Sequence, residues 1–193
     1  AKKLAELRRI LRPLVPDVEV VSLDAAPAYD QPAETEPTFA GNALLKARAA
    51  LAATGLPSLA DDSGLCVDAL NGMPGVLSAR WSGEEKDDRR NNELLLSQLR
   101  DVPDERRTAH FVAAVAFCRP DGEDVVTCEM SGRIIHEMRG DGGFGYDVVF
   151  VPDGHNITTA EMDTVTKDEL SHRGRSLRAV APLVATALST PPQ

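Results

Sequence analysis

Leucines at positions 4, 7, 11 and 14 recur at spacings of three and four with Arg and Glu between them, which is the period of an amphipathic helix. An α/β domain seldom opens on a helix, so a further strand and turn are expected ahead of Ala1. Val18 to Leu23 read as a strand, and Ala25 to Pro37 as a loop holding proline and acidic residues. Thr38 to Thr54 give the clearest helical pattern: Thr38 can cap it, Ala and Leu fill its body, and Gly55 with Pro57 stop it. Ser58 to Ala60 form a short apolar approach, read as a strand end, to the segment "ADDSGL" at residues 60–65. Residues 71–83, with four glycines or prolines, are expected to be irregular, and Asp87 to Arg100 predict an amphipathic helix. Thr108 to Cys118 and Val125 to Ile135 are β-rich and joined by "RPDGED", a hairpin connection. Val148 to Val151 read as a strand behind a glycine-rich stretch. Ala160 to Leu170 and Ser171 to Leu188 read as helices, with Pro182 expected to kink or restart the second. No repeat, low-complexity tract or long linker interrupts the pattern, which predicts one α/β domain with a mixed sheet.

At 193 residues and 42% hydrophobic the chain can bury one sizeable core. No apolar run approaches the roughly 20 residues that cross a bilayer, and the first residues lack a signal-peptide core, so a soluble protein of the cell interior with no membrane partner is expected. Cys66, Cys118 and Cys128 have neither metal-ligand spacing nor an even count and read as small buried hydrophobes in a reducing compartment. With 30 acidic against 21 basic residues the net charge is -9, which opposes binding to nucleic acid. A small anionic ligand is still compatible, because a metal ion and a few Lys or Arg side chains can reverse the potential locally.

Asp61 and Asp62 pose the first chemical question. Asp, Ser and Gly favour solvated turns, whereas Mg2+ takes one or two carboxylates and completes its shell with waters and phosphates. Adjacent residues at a strand end point to opposite sides, so one of the two could bind metal while the other holds the turn. A second carboxylate would come from "AETEPTF", where spacing does not choose between Glu34 and Glu36. Lys2 and Lys3 stand at a loop-to-helix junction suited to phosphate, or are simply solvated. Asn42 and Lys46, four apart, share a helical face. "SHRGR" places His172, Arg173 and Arg175 where a helix should begin, against the dipole's preference, with Lys167 about a turn earlier. "GGFGYD" sets Phe144 and Tyr146 on a glycine loop in a chain with 4% aromatics; a ring there can stack on a nucleobase or pack into the core. The glycine spacing is not that of a dinucleotide-binding fingerprint.

Taken in order, "TFAGNALLKA" (38–47), "LADDSGLCVDALNGMPGVLSAR" (59–80), "GGFGYDVVF" (142–150), "TAEM" (159–162) and "SHRGRSL" (171–177) closely resemble the inosine triphosphate pyrophosphatase family, also called XTP/dITP diphosphatases. The resemblance covers nearly the whole chain. It implies a two-lobed α/β fold around a long mixed sheet and a cytoplasmic homodimer. It also implies Mg2+-dependent cleavage of non-standard purine nucleoside triphosphates to the monophosphate and pyrophosphate. Asp62 matches the family's proton acceptor and metal ligand, and Glu34 its second metal carboxylate. Ser63, Phe144, Gly145, Tyr146 and Asp147 match substrate contacts, and Lys167, His172 and Arg173 match residues that meet the base. Lys3 resembles the closing lysine of the family's T/S-x-N-x-x-K phosphate loop, whose earlier Thr or Ser and Asn have no counterpart here. Val148 stands where the family usually has proline.

Overall fold

The Thr38 hydroxyl accepts a hydrogen bond from the Gly41 N–H at 3.0 Å, satisfying one of the donors left unpaired at the start of a helix. Behind that cap α2 runs Phe39–Thr54, and Gly55, at φ 69°, ends it in the left-handed conformation glycine adopts without steric cost. The computed structural model describes residues 2–26, 28–84 and 86–189. Four further α-helices are described: α1 Lys2–Leu11, α3 Asp88–Gln98, α4 Thr164–Leu170 and α5 His172–Ser189. Asp87 caps α3 through Arg90 N–H, and Asp163 caps α4 through the N–H groups of Val165 and Thr166. Pro182 lies inside an α5 that stays helical throughout, without the restart its ring suggested.

The strands β1 Ser58–Val67, β2 Thr108–Arg119, β3 Gly122–Ile134 and β4 Phe150–Pro152 form one sheet in the order β1-β2-β3-β4. Their pairing is antiparallel, with Gly132, Arg133 and Ile134 of β3 facing Pro152, Val151 and Phe150 of β4. The α/β class is as expected, while the parallel component of a mixed sheet is not among the described strands. Residues 18–23 do not form the predicted strand: 18–22 have no regular secondary structure, and Leu23 begins the short 3-10 turn Leu23–Ala25. Val18 and Val20 instead pack singly against the core, and the Val20 carbonyl accepts from the Arg8 guanidinium, Nε at 3.0 Å. The "ADDSGL" segment is also not a turn: it lies in the middle of the ten-residue β1.

The chain divides into two compact units. The first comprises residues 1–62, 114–128 and 173–193. Its core gathers Leu11 of α1, Val115 and Phe117 of β2, and Leu177, Val180, Ala181 and Val184 of α5. The second comprises residues 63–113 and 129–172. Its core holds Leu65 and Val67 of β1, Leu95 and Leu99 at the end of α3, and Phe111, Ile134, Tyr146, Val149 and Phe150. Burying each of the Val, Leu, Ile and Phe side chains among them is worth roughly 1.5–3 kcal/mol. Strand β1 changes unit after Asp62, β2 after Ala113 and β3 after Cys128, so Asp62 and Ser63 are the last and first residues of their units on one strand. Arg107, 2% exposed, donates from its guanidinium to the carbonyls of Leu99, Ile134 and Ile135, closing the end of α3 against β3. The three cysteines are free, and burial pushes the Cys66 thiol up to about 11, so it stays protonated at neutral pH. Among the described residues no helix is long and apolar enough to cross a membrane.

In the β3–β4 pairing a methyl group on Gly132 would overlap the Val151 carbonyl and the Phe150 ring. Gly132→Ala is therefore expected to lower the unfolding free energy by about 1–3 kcal/mol through overpacking. Urea unfolding reads this as an earlier midpoint, and a wild-type midpoint would contradict so close an approach.

Candidate active site

In the first unit the geometry starts from the α2 cap. Gly41, in the first turn, lets the Glu36 side chain lie against the helix; a Cβ there would stand 2.7 Å from the Glu36 Cβ. One residue on, fully buried Asn42 accepts the Glu36 N–H through Oδ1 at 3.0 Å, fixing the preceding loop to the helix. One turn further, Lys46 takes the Glu34 carboxylate at 2.9 Å. The same ammonium donates to Asp62 Oδ1 of β1 at 3.1 Å. The loop thus supplies Glu34 to Lys46 through its side chain, while Glu36 is tied to Asn42 through its backbone N–H.

The Asp62 side chain is 11% exposed, and its second oxygen, Oδ2, is buried with no hydrogen-bond partner among the described residues. An unmet carboxylate oxygen is costly to bury. Burial raises the Asp62 pKa above the ordinary carboxylate value; the Lys46 charge opposes that shift, the Glu34 charge adds to it, and the Asn42 amide favours the ionised form. For Lys46 burial alone would lower the pKa, but the bonds and charges of Glu34 and Asp62 outweigh it, and the ammonium titrates above its usual range. Asp61, its side chain alternating to the other side of the strand, pairs with Arg173 of α5, Nε to Oδ2 at 3.4 Å. The adjacent aspartates therefore have separate cationic partners.

Among the described residues no three His, Cys, Asp or Glu side chains gather closely enough to hold a metal by themselves. Glu34 and Asp62 nevertheless fit Mg2+, which is satisfied by one or two carboxylates with substrate oxygens and water. The unmet Oδ2 is the oxygen available to it.

The second unit carries the aromatic loop. The Phe144 ring is 67% exposed, whereas its N–H donates to Asp147 Oδ2 at 2.9 Å. Gly145, at φ 61°, donates its N–H to Asp88 Oδ2 at 2.6 Å and accepts from Asn92 Nδ2 at 2.8 Å, so α3 holds the loop from below. Tyr146 is a core residue: its ring belongs to the hydrophobic cluster, its hydroxyl donates to the Ser78 carbonyl at 2.9 Å, and burial raises its pKa. Only its backbone is left for a ligand. Asp147, 7% exposed, also accepts from Lys167 of α4 at 2.6 Å. His172, at the start of α5, stacks on Phe111 with ring centroids 5.0 Å apart and planes 5° apart. Ser63 follows Asp62 on β1 and is half-buried. Lys3 falls within α1, and its side chain lies outside the described residues.

The structure brings Glu34, Asp62 and Lys46 together in one unit, and Phe144, Gly145, Asp147 and Lys167 together in the other. The pivotal place of Lys46 was signalled only by its i, i+4 relation to Asn42. Asp88 and Asn92 had no signal of their own, because their roles come from distant partners.

A family model described as the Ham1 family matches residues 1–183. The dITP/XTP pyrophosphatase of Nocardia farcinica is 60% identical over 187 residues, covering 96% of this chain and 91% of that protein. The dITP/XTP pyrophosphatase of Mycobacterium tuberculosis is 57% identical over 183 residues, 94% of this chain and 89% of its own length. Among solved structures, a nucleoside-triphosphatase / dITP/XTP pyrophosphatase from Mycobacterium abscessus aligns with a TM-score of 0.83 at 54% identity, covering 95% of this chain and 94% of that one. The Ham1 protein of Staphylococcus aureus aligns with a TM-score of 0.87 at 35% identity, covering 96% and 94%.

Burial holds the folded-state pKa of Asp62 above its unfolded value, so ionisation of Asp62 costs stability as pH rises through that range. Without metal, Asp62→Asn should melt no lower than wild type at pH 7–8, and any gain should vanish below the unfolded carboxyl value of 3.8. Calorimetric melting across pH tests this; a variant melting several degrees lower at pH 7–8 would contradict it.

Proposed function

Because this chain belongs to the Ham1 family, we infer that it is a nucleoside triphosphate diphosphatase, hydrolysing non-standard purine nucleoside triphosphates such as ITP, dITP and XTP to the monophosphate and pyrophosphate. The observation that carries the reading is Lys46 bridging Glu34 and Asp62 while Asp62 Oδ2 stays buried and unmet. We assign Glu34 and Asp62 as the carboxylates of a Mg2+ site, and a cation bound there would supply charge neutralisation on the phosphates. Asp62 is also the proton acceptor. A pKa raised by burial makes its ionised form a stronger base than a solvated carboxylate. A water oxygen attacks the α-phosphorus and its proton passes to Asp62. The bond from that phosphorus to the bridging oxygen breaks, and pyrophosphate leaves with the electron pair. Lys46, and Lys3 by resemblance, stabilise charge on the phosphate chain.

Base recognition is assigned to the second unit's loop; for Arg173 the assignment rests on the family resemblance alone. The exposed Phe144 ring stacks on the base. Gly145, Tyr146 and Asp147 shape the loop, and Lys167, His172 and Arg173 meet the base edge. Hypoxanthine and xanthine offer O6 as an acceptor, whereas adenine presents an amino donor there and leaves the cations unmet, at a cost of about 1–3 kcal/mol. Ser63 is assigned a further substrate contact beside Asp62. The proposal extends to a cytoplasmic homodimer without nucleic-acid or membrane partners; the net charge of -9 supports the exclusion of nucleic acid.

Incubation with Mg2+ and each nucleotide, followed by separate assay of pyrophosphate and orthophosphate, tests the reading. ITP, dITP and XTP should turn over far faster than ATP or GTP, with pyrophosphate as the first product. Orthophosphate as the first product would overturn it. Asp62→Asn should lower turnover by orders of magnitude with the fold retained, and near-normal turnover would remove Asp62 from the mechanism.

A further inference from the structure

We infer that Thr159 is a positioning residue for base recognition, acting through Asp147; this rests on the diphosphatase reading above. Thr159 follows β4, is 1% exposed and has no surface with which to touch a substrate. Its N–H donates to the Phe150 carbonyl at 3.0 Å, and the next N–H, of Ala160, donates to the Asp147 carbonyl at 3.2 Å, so its backbone is fixed from both sides. From that anchored position its hydroxyl donates to Asp147 Oδ1 at 2.7 Å, with the Asp147 carbonyl at 3.2 Å sharing the proton.

Asp147 is thereby engaged at both oxygens. Oδ1 takes Thr159, and Oδ2 takes the Phe144 N–H at 2.9 Å and the Lys167 ammonium at 2.6 Å. A carboxylate offers about four lone-pair positions, and three of Asp147's are filled from within the protein. A group so enclosed orients its neighbours: it fixes the backbone beneath the exposed Phe144 ring and sets the direction of the Lys167 ammonium. Without the Thr159 hydroxyl, Oδ1 would be left buried and unmet, and the carboxylate would turn toward another donor. Phe144 and Lys167 would then both lose a fixed acceptor, and binding the base would require ordering them first.

Gly143 reports on the same hub from the other side. At φ 79° it adopts a conformation open to glycine, and a Cβ there would overlap Asp147 Oδ2 and Lys167 Nζ. The carboxylate and ammonium therefore sit against the bare backbone at Gly143, with no room to shift while the loop keeps its shape.

Steady-state kinetics with ITP and ATP on wild type, Thr159→Val, Thr159→Ser and Gly143→Ala test the inference. Thr159→Val, which keeps the side-chain shape and removes the donor, should raise KM for ITP about tenfold with kcat within a fewfold of wild type. It should also narrow the ratio of kcat/KM between ITP and ATP. Thr159→Ser should restore most of both. Gly143→Ala, which displaces the same carboxylate without touching Thr159, should reproduce the rise in KM and keeps the test open should the valine variant not fold. An unchanged KM in folded Thr159→Val with only a lower melting temperature would reduce Thr159 to a structural residue, and a serine variant as impaired as valine would exclude the hydroxyl. If wild type does not hydrolyse ITP, the diphosphatase reading itself fails and takes this inference with it; wild-type activity with unaltered variants fails this inference alone.

Discussion

One ammonium between two carboxylates is the interaction on which the first unit's chemistry depends. Lys46 holds Glu34, which comes from an irregular loop, to Asp62, which is fixed in a strand. A loop carboxylate alone would lose conformational entropy on binding a cation, and two carboxylates alone would repel. The ammonium removes both obstacles before any ligand arrives. Thr38 starts the helix, Gly41 lets the loop lie on it, Asn42 ties the loop down, and Lys46, one turn later, collects the charge. The cluster is nevertheless left short of one partner, because Asp62 Oδ2 is buried and unmet. Such a deficit reduces stability, and active sites commonly carry it because the missing interaction is made by ligand or in the transition state.

The second unit solves a related problem with the charges reversed. There a carboxylate, Asp147, gathers an ammonium, a backbone N–H and a hydroxyl, and the result is a rigid base beneath a solvent-exposed ring. An exposed aromatic on a wandering loop would pay to be ordered when it stacked. Held by Asp147 on one side and by Asp88 and Asn92 at Gly145, the loop has paid most of that entropy during folding.

How much of this was legible in the sequence follows from how local each cause is. The limits of α2 were readable because a threonine cap and a left-handed glycine act within a few residues of the boundary. The hairpin between β2 and β3 was readable for the same reason. "ADDSGL" misled on its own terms: Asp, Ser and Gly favour turns locally, and the neighbouring strand that keeps them extended is more than forty residues away in the chain. Residues 18–23 erred in the opposite direction, β-rich in composition but in none of the described strands. Tyr146 and Phe144, two residues apart on one glycine loop, have opposite fates, core and solvent, and nothing in "GGFGYD" separates them. The motifs identified the family's candidate residues, but which oxygen of Asp62 is bonded, and that Glu34 rather than Glu36 meets Lys46, depends on tertiary distances that no spacing encodes.

The central claim is that Glu34 and Asp62, held by Lys46, form the cation and phosphate centre. Electron paramagnetic resonance of Mn2+, added in place of Mg2+ with an ITP analogue carrying a methylene between the α- and β-phosphorus, tests it most directly by reporting free against bound metal. The account predicts a site in wild type that is lost or greatly weakened in both Glu34→Gln and Asp62→Asn. Unchanged Mn2+ binding in both folded variants would contradict it.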